Sequence, residues 1–175
     1  MPQVSSRLER NREKIEECLP HTWWALEQWE QDCDRVGLAF YIAEAYRSQE
    51  RQNALYAQGR GSVGSIVTWT MNSPHTARLA VDIEPVYRPK NIRTYYEEIE
   101  KLGTKYGIFR PKELVKLNDL RHFELSNVAP APANPPLETR IKQMKRAVSR
   151  TKNEERKRMM ERRIARMETL LKNNG

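Results

Sequence analysis

The sequence predicts an α+β fold for a chain of 175 residues. Apolar residues recur at helical spacing in residues 22–36 and 95–106, whereas residues 79–83 and 121–125 alternate between apolar and polar positions, as strands do. This length is sufficient for a single hydrophobic core. No stretch approaches the ~18 to 20 uninterrupted apolar residues that a membrane span requires.

Two helices are predicted at the N-terminus, near residues 7–18 and 22–36. The second carries its apolar residues at helical spacing and ends at Gly37. We interpret its tryptophans as core and groove-wall residues. Cys18 and Cys33 are interpreted as reduced thiols with a packing role, because two cysteines in this segment form neither a disulfide framework nor a Cys-rich metal site.

The next predicted elements are a strand at residues 38–45 and a helix that Ser48 caps and Gly59 ends. This arrangement places Arg47 at a strand-to-helix junction. Residues 67–70 form a short β-branched run.

Residues 79–83 are predicted to form a strand that buries its apolar set and points Asp82 the other way. A helix over residues 95–106 follows and ends at Gly107. Its apolar residues recur at helical spacing, so we expect it to cover one face of the sheet. In residues 121–125 the same alternation separates His122 and Glu124 from Phe123 and Leu125.

Charge is distributed unevenly along the chain. Residues 1–130 contain 18 Lys+Arg and 18 Asp+Glu, whereas residues 131–175 contain 13 and 5, so the C-terminal part carries the whole formal charge of +8. Between the two parts lies a segment rich in alanine and proline, whose prolines favour an extended spacer. The sequence therefore predicts a neutral body, a linker and a basic tail.

Three potential metal ligands and one further carboxylate are the most informative residues. They are His75, Asp82, His122 and Asp119. A catalytic zinc usually takes three protein ligands from His, Asp, Glu or Cys, while a nearby acid or base that does not bind the metal moves protons. His21 lies in no motif and is interpreted as a surface or core residue.

Three motifs around these residues resemble the LAS-type zinc peptidases of peptidoglycan. Residues 73–82, SPHTARLAVD, resemble the signature S-x-H-x-x-G-x-A-x-D, and residues 119–124, DLRHFE, resemble the second motif, D/E-x-x-H. Residues 46–60, YRSQERQNALYAQGR, resemble a segment of the phage-endolysin branch, the L-alanyl-D-glutamate peptidases. Arg78 stands where the family usually has glycine, so a positive φ there would strain the backbone.

The resemblance implies the fold shared by these peptidases and the hedgehog signalling domain, a small antiparallel sheet flanked by helices. We therefore expect a zinc peptidase domain in residues 1–128. An Ala/Pro linker in residues 129–136 and a basic amphipathic helical tail in residues 137–175 are expected to follow.

The resemblance also implies roles for individual residues. His75, Asp82 and His122 would bind Zn²⁺, which lowers the pKa of its bound water toward about 7 and polarises the scissile carbonyl. Asp119 would act as general base and then as general acid. Arg47 would stabilise the oxyanion of the tetrahedral intermediate, a role that suits a permanent cation.

Several of these roles have alternatives. Asp119 could instead cap a turn, and Glu124 competes with it for the proton-transfer role. Because Glu124 shares a strand face with His122, it could also support that ligand or contact substrate. Ser73 is expected to bind substrate or to support the ligand loop, and Arg47 could form only an ion pair.

The implied function is that of a phage or prophage endolysin, which hydrolyses the L-alanyl-D-glutamate bond of the peptidoglycan stem peptide and causes host lysis. One alternative is a D-alanyl-D-alanine carboxypeptidase or dipeptidase. Another is a non-enzymatic binder with a structural zinc, although such a site normally has a fourth protein ligand. Residues 1–7 lack an apolar segment, so we expect synthesis in the host cytoplasm without a signal peptide and release to the wall by another protein.

The tail has apolar residues at three-four spacing, which predicts a long basic helix interrupted by charged residues near 152–156. A solvated helix, self-association, and binding to anionic wall polymer or a membrane surface all agree with this pattern. Because the tail has no aromatic residues for base stacking, no nucleic-acid partner is expected.

Overall fold

A computed structural model describes residues 6–126, 137–150 and 154–173. The chain divides into two compact units, residues 1–133 and 134–175. The linker predicted at residues 129–136 lies outside the described residues.

The first unit contains a four-stranded antiparallel sheet with strand order β1-β2-β4-β3. This arrangement confirms the predicted α+β fold with a small antiparallel sheet. Its elements are α1 (Arg7–Glu17), a 3₁₀ turn (Pro20–Thr22), α2 (Trp23–Arg35), β1 (Phe40–Glu44), α3 (Gln49–Ala57), β2 (Ala80–Pro85), α4 (Ile92–Thr104), β3 (Ile108–Phe109), α5 (Lys112–Lys116) and β4 (His122–Leu125).

Short polar side chains determine where three of the helices begin. The Ser6 hydroxyl accepts the Glu9 backbone N–H at the start of α1, and the Glu9 carboxylate accepts the Ser6 N–H in return. Ser48 caps α3 and Asn91 caps α4 by accepting a backbone N–H three residues later. Each cap satisfies an N–H that the helix itself leaves without a partner.

The core lies between the helices and one face of the sheet. Trp29 is completely buried, with its ring centroid 4.7 Å from that of Phe40 and 5.0 Å from that of Phe123. Its indole N–H donates to the backbone carbonyl of Ile99 in α4. One residue of α2 therefore joins a second helix to two strands.

The opposite face of the sheet carries polar side chains at the same level of neighbouring strands. Asp82 is paired with His122 across β2 and β4, and Ala80 is paired with Glu124. Because side chains alternate across a strand, Val81 and Phe123 lie in the core while Asp82 and His122 share the other face. The sheet thus brings together two residues that are 40 positions apart in sequence.

Three local features differ from the sequence analysis or were missed by it. The two-residue strand β3 and the one-turn helix α5 are too short to produce a periodic pattern. The β-branched run at residues 67–70 forms no strand and belongs to a loop that connects α3 to β2. Its residues Val67 and Trp69 are more than half exposed, so no core contact holds them in a sheet.

The second unit contains two helices where the sequence pattern predicted one long helix. They are α6 (Leu137–Arg150) and α7 (Glu154–Asn173). Lys145 Nζ lies 2.6 Å from Glu168 Oε1, whereas 23 residues in one straight helix would span about 35 Å, so the chain folds back on itself. Ile141, Ile164 and Met167 are buried.

None of the helices in the described parts of the chain combines the length and apolar character needed to cross a membrane.

Candidate metal centre

His75 is presented by the loop between α3 and β2 and is 1% exposed. The Ser73 hydroxyl accepts the His75 backbone N–H at 3.3 Å, and the Thr76 hydroxyl donates to the Ser73 carbonyl at 2.7 Å. The His75 carbonyl accepts N–H groups from Arg47 and Arg78. These bonds fix the loop backbone on both sides of the imidazole.

One ring nitrogen of each histidine and one oxygen of Asp82 form a nearly equilateral triangle. His75 Nε2 lies 3.2 Å from Asp82 Oδ1 and 3.2 Å from His122 Nδ1. His122 Nδ1 lies 3.1 Å from Asp82 Oδ1. The structure therefore brings together the three residues that the sequence analysis named as ligands, in a group suited to hold a metal ion.

The spacing of these atoms fits zinc. Ligand atoms ~2.0 to 2.1 Å from a tetrahedral ion lie about 3.3 Å from one another, close to the three distances in the triangle. Two neutral imidazoles and one carboxylate are also ligands that zinc commonly takes. Three protein ligands leave a tetrahedral ion one further position, which is typical of catalytic sites.

The outer nitrogens of the two imidazoles have their own acceptors, which assigns the tautomers. His75 Nδ1 lies 2.7 Å from the Ala45 carbonyl, so it carries the proton and leaves Nε2 as a lone pair in the triangle. His122 Nε2 lies 3.3 Å from Glu124 Oε1, so in the neutral ring the proton is on Nε2 and the lone pair of Nδ1 faces the triangle. With both rings neutral, two lone pairs and a carboxylate oxygen converge on one point, so the arrangement favours a cation there, either a metal ion or a proton.

Without a metal ion, a proton on His122 supplies the positive charge beside the Asp82 carboxylate. Burial lowers the pKa of His122, but hydrogen bonds to Asp82 and Glu124 outweigh it and raise that pKa to about 9. Burial raises the pKa of Asp82, but hydrogen bonds from His122 and His75 and their charges hold it well below its usual range. The carboxylate is thus ionised at neutral pH, as a metal ligand must be.

Arg47 lies beside the triangle, at the strand-to-helix junction that the sequence predicted. Its guanidinium forms an ion pair with Glu44, donates to Gln52 Oε1 at 2.7 Å and lies 3.8 Å from Asp82 Oδ2. The side chain is 11% exposed. Gln52 in turn donates to the Thr70 carbonyl, so the loop between α3 and β2 is connected to Arg47.

Asp119 occupies the turn between α5 and β4, immediately after Asn118, which has a positive φ of 64°. The Asp119 backbone N–H donates to the Leu114 carbonyl, and Asp119 is exposed to solvent. The negative charge of Asp119 is one of the causes that raise the pKa of His122. The carboxylate is not one of the three ligand groups of the triangle.

Ser73 and Glu124 line a cavity of about 380 Å³ beside the triangle. The loop contributes one wall and β4 contributes the other. The remaining lining residues are Asn72, Pro74, Thr76, Ala77, Leu79 and Leu125. Ser73 is buried and supports the loop, whereas Glu124 contacts His122 and the cavity at once.

Four groups at the site were missed by the sequence analysis. The Ala45 carbonyl is a backbone group and Gln52 is a buried side chain. Neither can be recognised as a site residue from the spacing of residues in the sequence. Glu44 and Arg121 are charged residues next to predicted site residues, and a search for charges flanking Arg47 and His122 would have found them.

No family model matches this chain, and no curated protein matches its sequence. Among solved structures, the chain is similar to the L-Ala D-Glu endopeptidase ChiX of Serratia marcescens, with a TM-score of 0.51 and 20% identity over 67% of this chain and 86% of ChiX. It is also similar to a variant of the vancomycin-resistance D,D-pentapeptidase VanY from a VanB-type cassette in complex with Zn(II), with a TM-score of 0.48 and 17% identity over 62% of this chain and 72% of VanY. The likeness to ChiX shows a shared fold.

Proposed function

We propose that this chain is a zinc-dependent peptidase that hydrolyses the L-alanyl-D-glutamate bond of peptidoglycan stem peptides. The observation that carries the proposal is the triangle of His75 Nε2, Asp82 Oδ1 and His122 Nδ1, with atoms 3.1 to 3.2 Å apart. The fold shared with the endopeptidase ChiX supports the choice of bond.

The three ligands act by holding the metal in one position. A zinc ion bound there supplies Lewis-acid chemistry, which polarises a carbonyl and makes water easier to ionise. The Ala45 carbonyl and Glu124 keep both imidazoles oriented through their outer nitrogens, and such partners usually matter for metal affinity.

Asp119 is the proposed proton carrier. Its carboxylate takes a proton from the attacking water and passes it to the amine that leaves as the peptide bond breaks. Asp119 is exposed and its negative charge acts on His122, whereas Glu124 is held by its contact with His122 Nε2. This difference favours Asp119 over Glu124 for the role.

Arg47 is proposed to stabilise the oxyanion that forms when water attacks the carbonyl. Its guanidinium is held by Glu44 and Gln52, so little reorganisation is needed as charge develops. The 3.8 Å distance to Asp82 Oδ2 places this fixed cation next to a metal ligand.

At the level of biology, we propose that the chain serves as a phage or prophage endolysin. Cleavage of stem peptides would weaken the wall and cause host lysis. The enzyme would be made in the host cytoplasm and would reach the wall after release by another protein.

The deciding experiment is mass analysis of muropeptides from purified peptidoglycan after incubation with the zinc-loaded protein, the chelated protein and the variant Asp119→Ala. We expect new termini between L-alanine and D-glutamate with the loaded wild type and none in the other two. Glu113→Ala removes an exposed carboxylate in α5 and serves as the matched control, with cleavage unchanged.

Each contrary outcome identifies a different error. Release of free D-alanine alone would support a D-alanyl-D-alanine carboxypeptidase instead. No cleavage by the zinc-loaded protein would support a binding role. Full activity of Asp119→Ala would transfer the proton-carrier role to Glu124.

We also propose that the helical hairpin of α6 and α7 binds anionic wall polymer or an anionic membrane surface. Lys142, Arg146, Arg158 and Arg162 are exposed on its helices, and opposite charges attract over about 8 Å at physiological salt. The full-length protein should bind vesicles of anionic phospholipid or purified wall in a salt-sensitive manner. Replacing Arg146, Arg158 and Arg162 with glutamine should weaken that binding, and unchanged binding would refute it.

A further inference from the structure

Arg121 is a second cation at the metal centre, in addition to Arg47. Its Nη2 lies 4.0 Å from Asp82 Oδ2, the carboxylate oxygen that is not part of the triangle. Its Nη1 lies 2.9 Å from Glu84 Oε1. Asp82 thus faces the metal triangle with one oxygen and Arg121 with the other.

The two cations differ in how firmly they are held. Arg47 is 11% exposed and is bound by both Glu44 and Gln52. Arg121 is 45% exposed, and its partner Glu84 is 53% exposed. Exposed ion pairs of this kind stabilise a protein only weakly, so Arg121 can exchange Glu84 for another carboxylate at little cost.

Charge changes sign along the polar face of the sheet. Glu124 is paired with Ala80 and lies on one side of the triangle, next to the cavity beside Ser73. Arg121 lies on the other side, since its carbonyl accepts the Ile83 N–H and its side chain contacts Glu84. Beyond Glu84, Arg88 and Lys90 line a depression of about 600 Å³.

We propose that Arg121 determines substrate specificity by binding the free α-carboxylate of the D-glutamate that follows the scissile bond. This inference rests on the proposed peptidase function. In a stem peptide, D-glutamate is joined to L-alanine through its amine and to the next residue through its side chain, which leaves the α-carboxylate free. That carboxylate is two bonds from the scissile nitrogen.

The geometry supports this assignment. Asp82 lies between the triangle and the guanidinium of Arg121, with one oxygen toward each. The scissile carbonyl would lie at the triangle. A guanidinium can bind a carboxylate through two parallel hydrogen bonds, which gives both affinity and orientation. The D-glutamate side of the peptide therefore lies toward Arg121, and the L-alanine side lies toward the cavity lined by Ser73 and Glu124.

The test uses two synthetic tripeptides, L-alanyl-γ-D-glutamyl-L-lysine with a free α-carboxylate on D-glutamate and the same peptide with an α-carboxamide. Values of kcat and KM are measured for both peptides with the zinc-loaded wild type, Arg121→Gln and Arg121→Lys. Arg35→Gln is the matched control, because Arg35 is also an exposed arginine in an ion pair but belongs to α2. Zinc content is measured for every variant.

We expect the wild type to prefer the carboxylate peptide in kcat/KM by about tenfold to a hundredfold, the range that a charge-assisted hydrogen bond supplies. Arg121→Gln should abolish this preference through a higher KM for the carboxylate peptide, with the amide peptide unaffected. Arg121→Lys should keep part of the preference, since it keeps the charge without the planar fork. Arg35→Gln should keep all of it.

An equal loss on both peptides in Arg121→Gln would overturn the inference, because it would show a general effect on the centre. If the wild type cleaves neither peptide, the proposed peptidase function fails, and calorimetric binding of the same peptides then decides the role of Arg121. Tighter binding of the carboxylate peptide to wild type but not to Arg121→Gln would uphold that role. Equal binding of both peptides would refute it.

Discussion

Glu124 contacts the candidate metal centre through His122, because its carboxylate accepts the proton of the nitrogen that faces away from the triangle. Partners of this kind fix the ring orientation and increase the basicity of the ligand nitrogen. The sequence analysis left Glu124 with three roles: proton carrier, support for His122 and substrate contact. In the structure its carboxylate contacts His122, and the residue also lines the cavity.

Replacing Glu124 should therefore weaken metal binding. Glu124→Ala is expected to lower zinc affinity by about tenfold to a hundredfold, as is typical for loss of such a partner. Glu124→Gln keeps an acceptor oxygen and should lower it less. Competition with a chromophoric chelator measures both values, and unchanged affinity in Glu124→Ala would show that His122 needs no support.

Arg78 is a single residue in which strain and stabilising contacts oppose each other. Its φ of 62° is unfavourable for a side chain with a Cβ, and the peptidase motif that residues 73–82 resemble usually has glycine in this position. The guanidinium donates to the Glu17 carbonyl at 2.7 Å and stacks 3.9 Å from the centroid of the Tyr46 ring. These contacts tie the end of α1 to the loop that presents His75.

Arg78→Ala should destabilise the protein by about 2 kcal/mol, because it loses the hydrogen bond and the cation–π contact but keeps the strain. Arg78→Gly loses the same contacts but removes the strain, so it should be about 1 kcal/mol more stable than Arg78→Ala. Urea unfolding monitored by circular dichroism measures both differences. Equal stability of the alanine and glycine variants would contradict the role of strain.

At the scale of elements, α1 closes the edge of the sheet with a side chain. Asn11 is completely buried, and its amide donates to the Phe40 carbonyl and accepts the Ile42 N–H of β1. The same amide donates to Glu30 in α2. A strand edge that would otherwise expose hydrogen-bonding groups is thereby satisfied without another strand.

Asn11→Ala should destabilise the protein by about 1 to 3 kcal/mol, because it leaves the buried Ile42 N–H of β1 without its partner, whereas the Phe40 carbonyl keeps a hydrogen bond from Arg7. Glu13→Ala, an exposed substitution in the same helix, should change the free energy of unfolding by less than about 0.5 kcal/mol. Chemical denaturation compares the two. Similar values for both variants would show that water replaces Asn11 at the edge.

At the scale of the whole molecule, the helical layer over the sheet keeps both thiols from solvent. Cys18 is 2% exposed and Cys33 is completely buried. Burial, aided by neighbouring carboxylates, raises the pKa of each thiol to about 12. Because the folded pKa lies above the unfolded value of about 8.5, the folded state holds these protons more tightly.

The pH dependence of stability follows from these pKa values. The contribution of the two thiols is complete below about pH 8.5 and declines as the pH rises toward 12. We expect the free energy of unfolding to fall between pH 8 and pH 10 in the wild type, with a smaller fall in the double variant Cys18→Ala and Cys33→Ala. Chemical denaturation at both pH values is the measurement.

Thiol labelling gives an independent check on the same burial. Both cysteines should react slowly with a thiol reagent at pH 8 in the folded protein and rapidly in urea. Rapid labelling without denaturant would mean that the N-terminal layer opens easily.

Apolar periodicity in the sequence is enough to predict the type of most elements, and the motifs contain the three side chains that the structure brings into a group able to hold a metal ion. Alternation in residues 79–83 and 121–125 places Asp82 and His122 on the polar sides of their strands, since side chains alternate at every second position. The helices at residues 22–36 and 95–106 could be predicted because their apolar spacing extends over three turns or more. Short elements such as β3 and α5 produce no such period.

How those residues meet depends on strand pairing and on the packing of distant segments. Strand pairing sets Asp82 level with His122, and a loop without regular structure delivers His75 to the same point. The acceptor of the outer nitrogen of His75 and the ion pair of Arg121 with Glu84 depend on contacts between distant segments. Local sequence encodes the period and chemistry of each side chain, whereas register and burial arise when separate elements pack together.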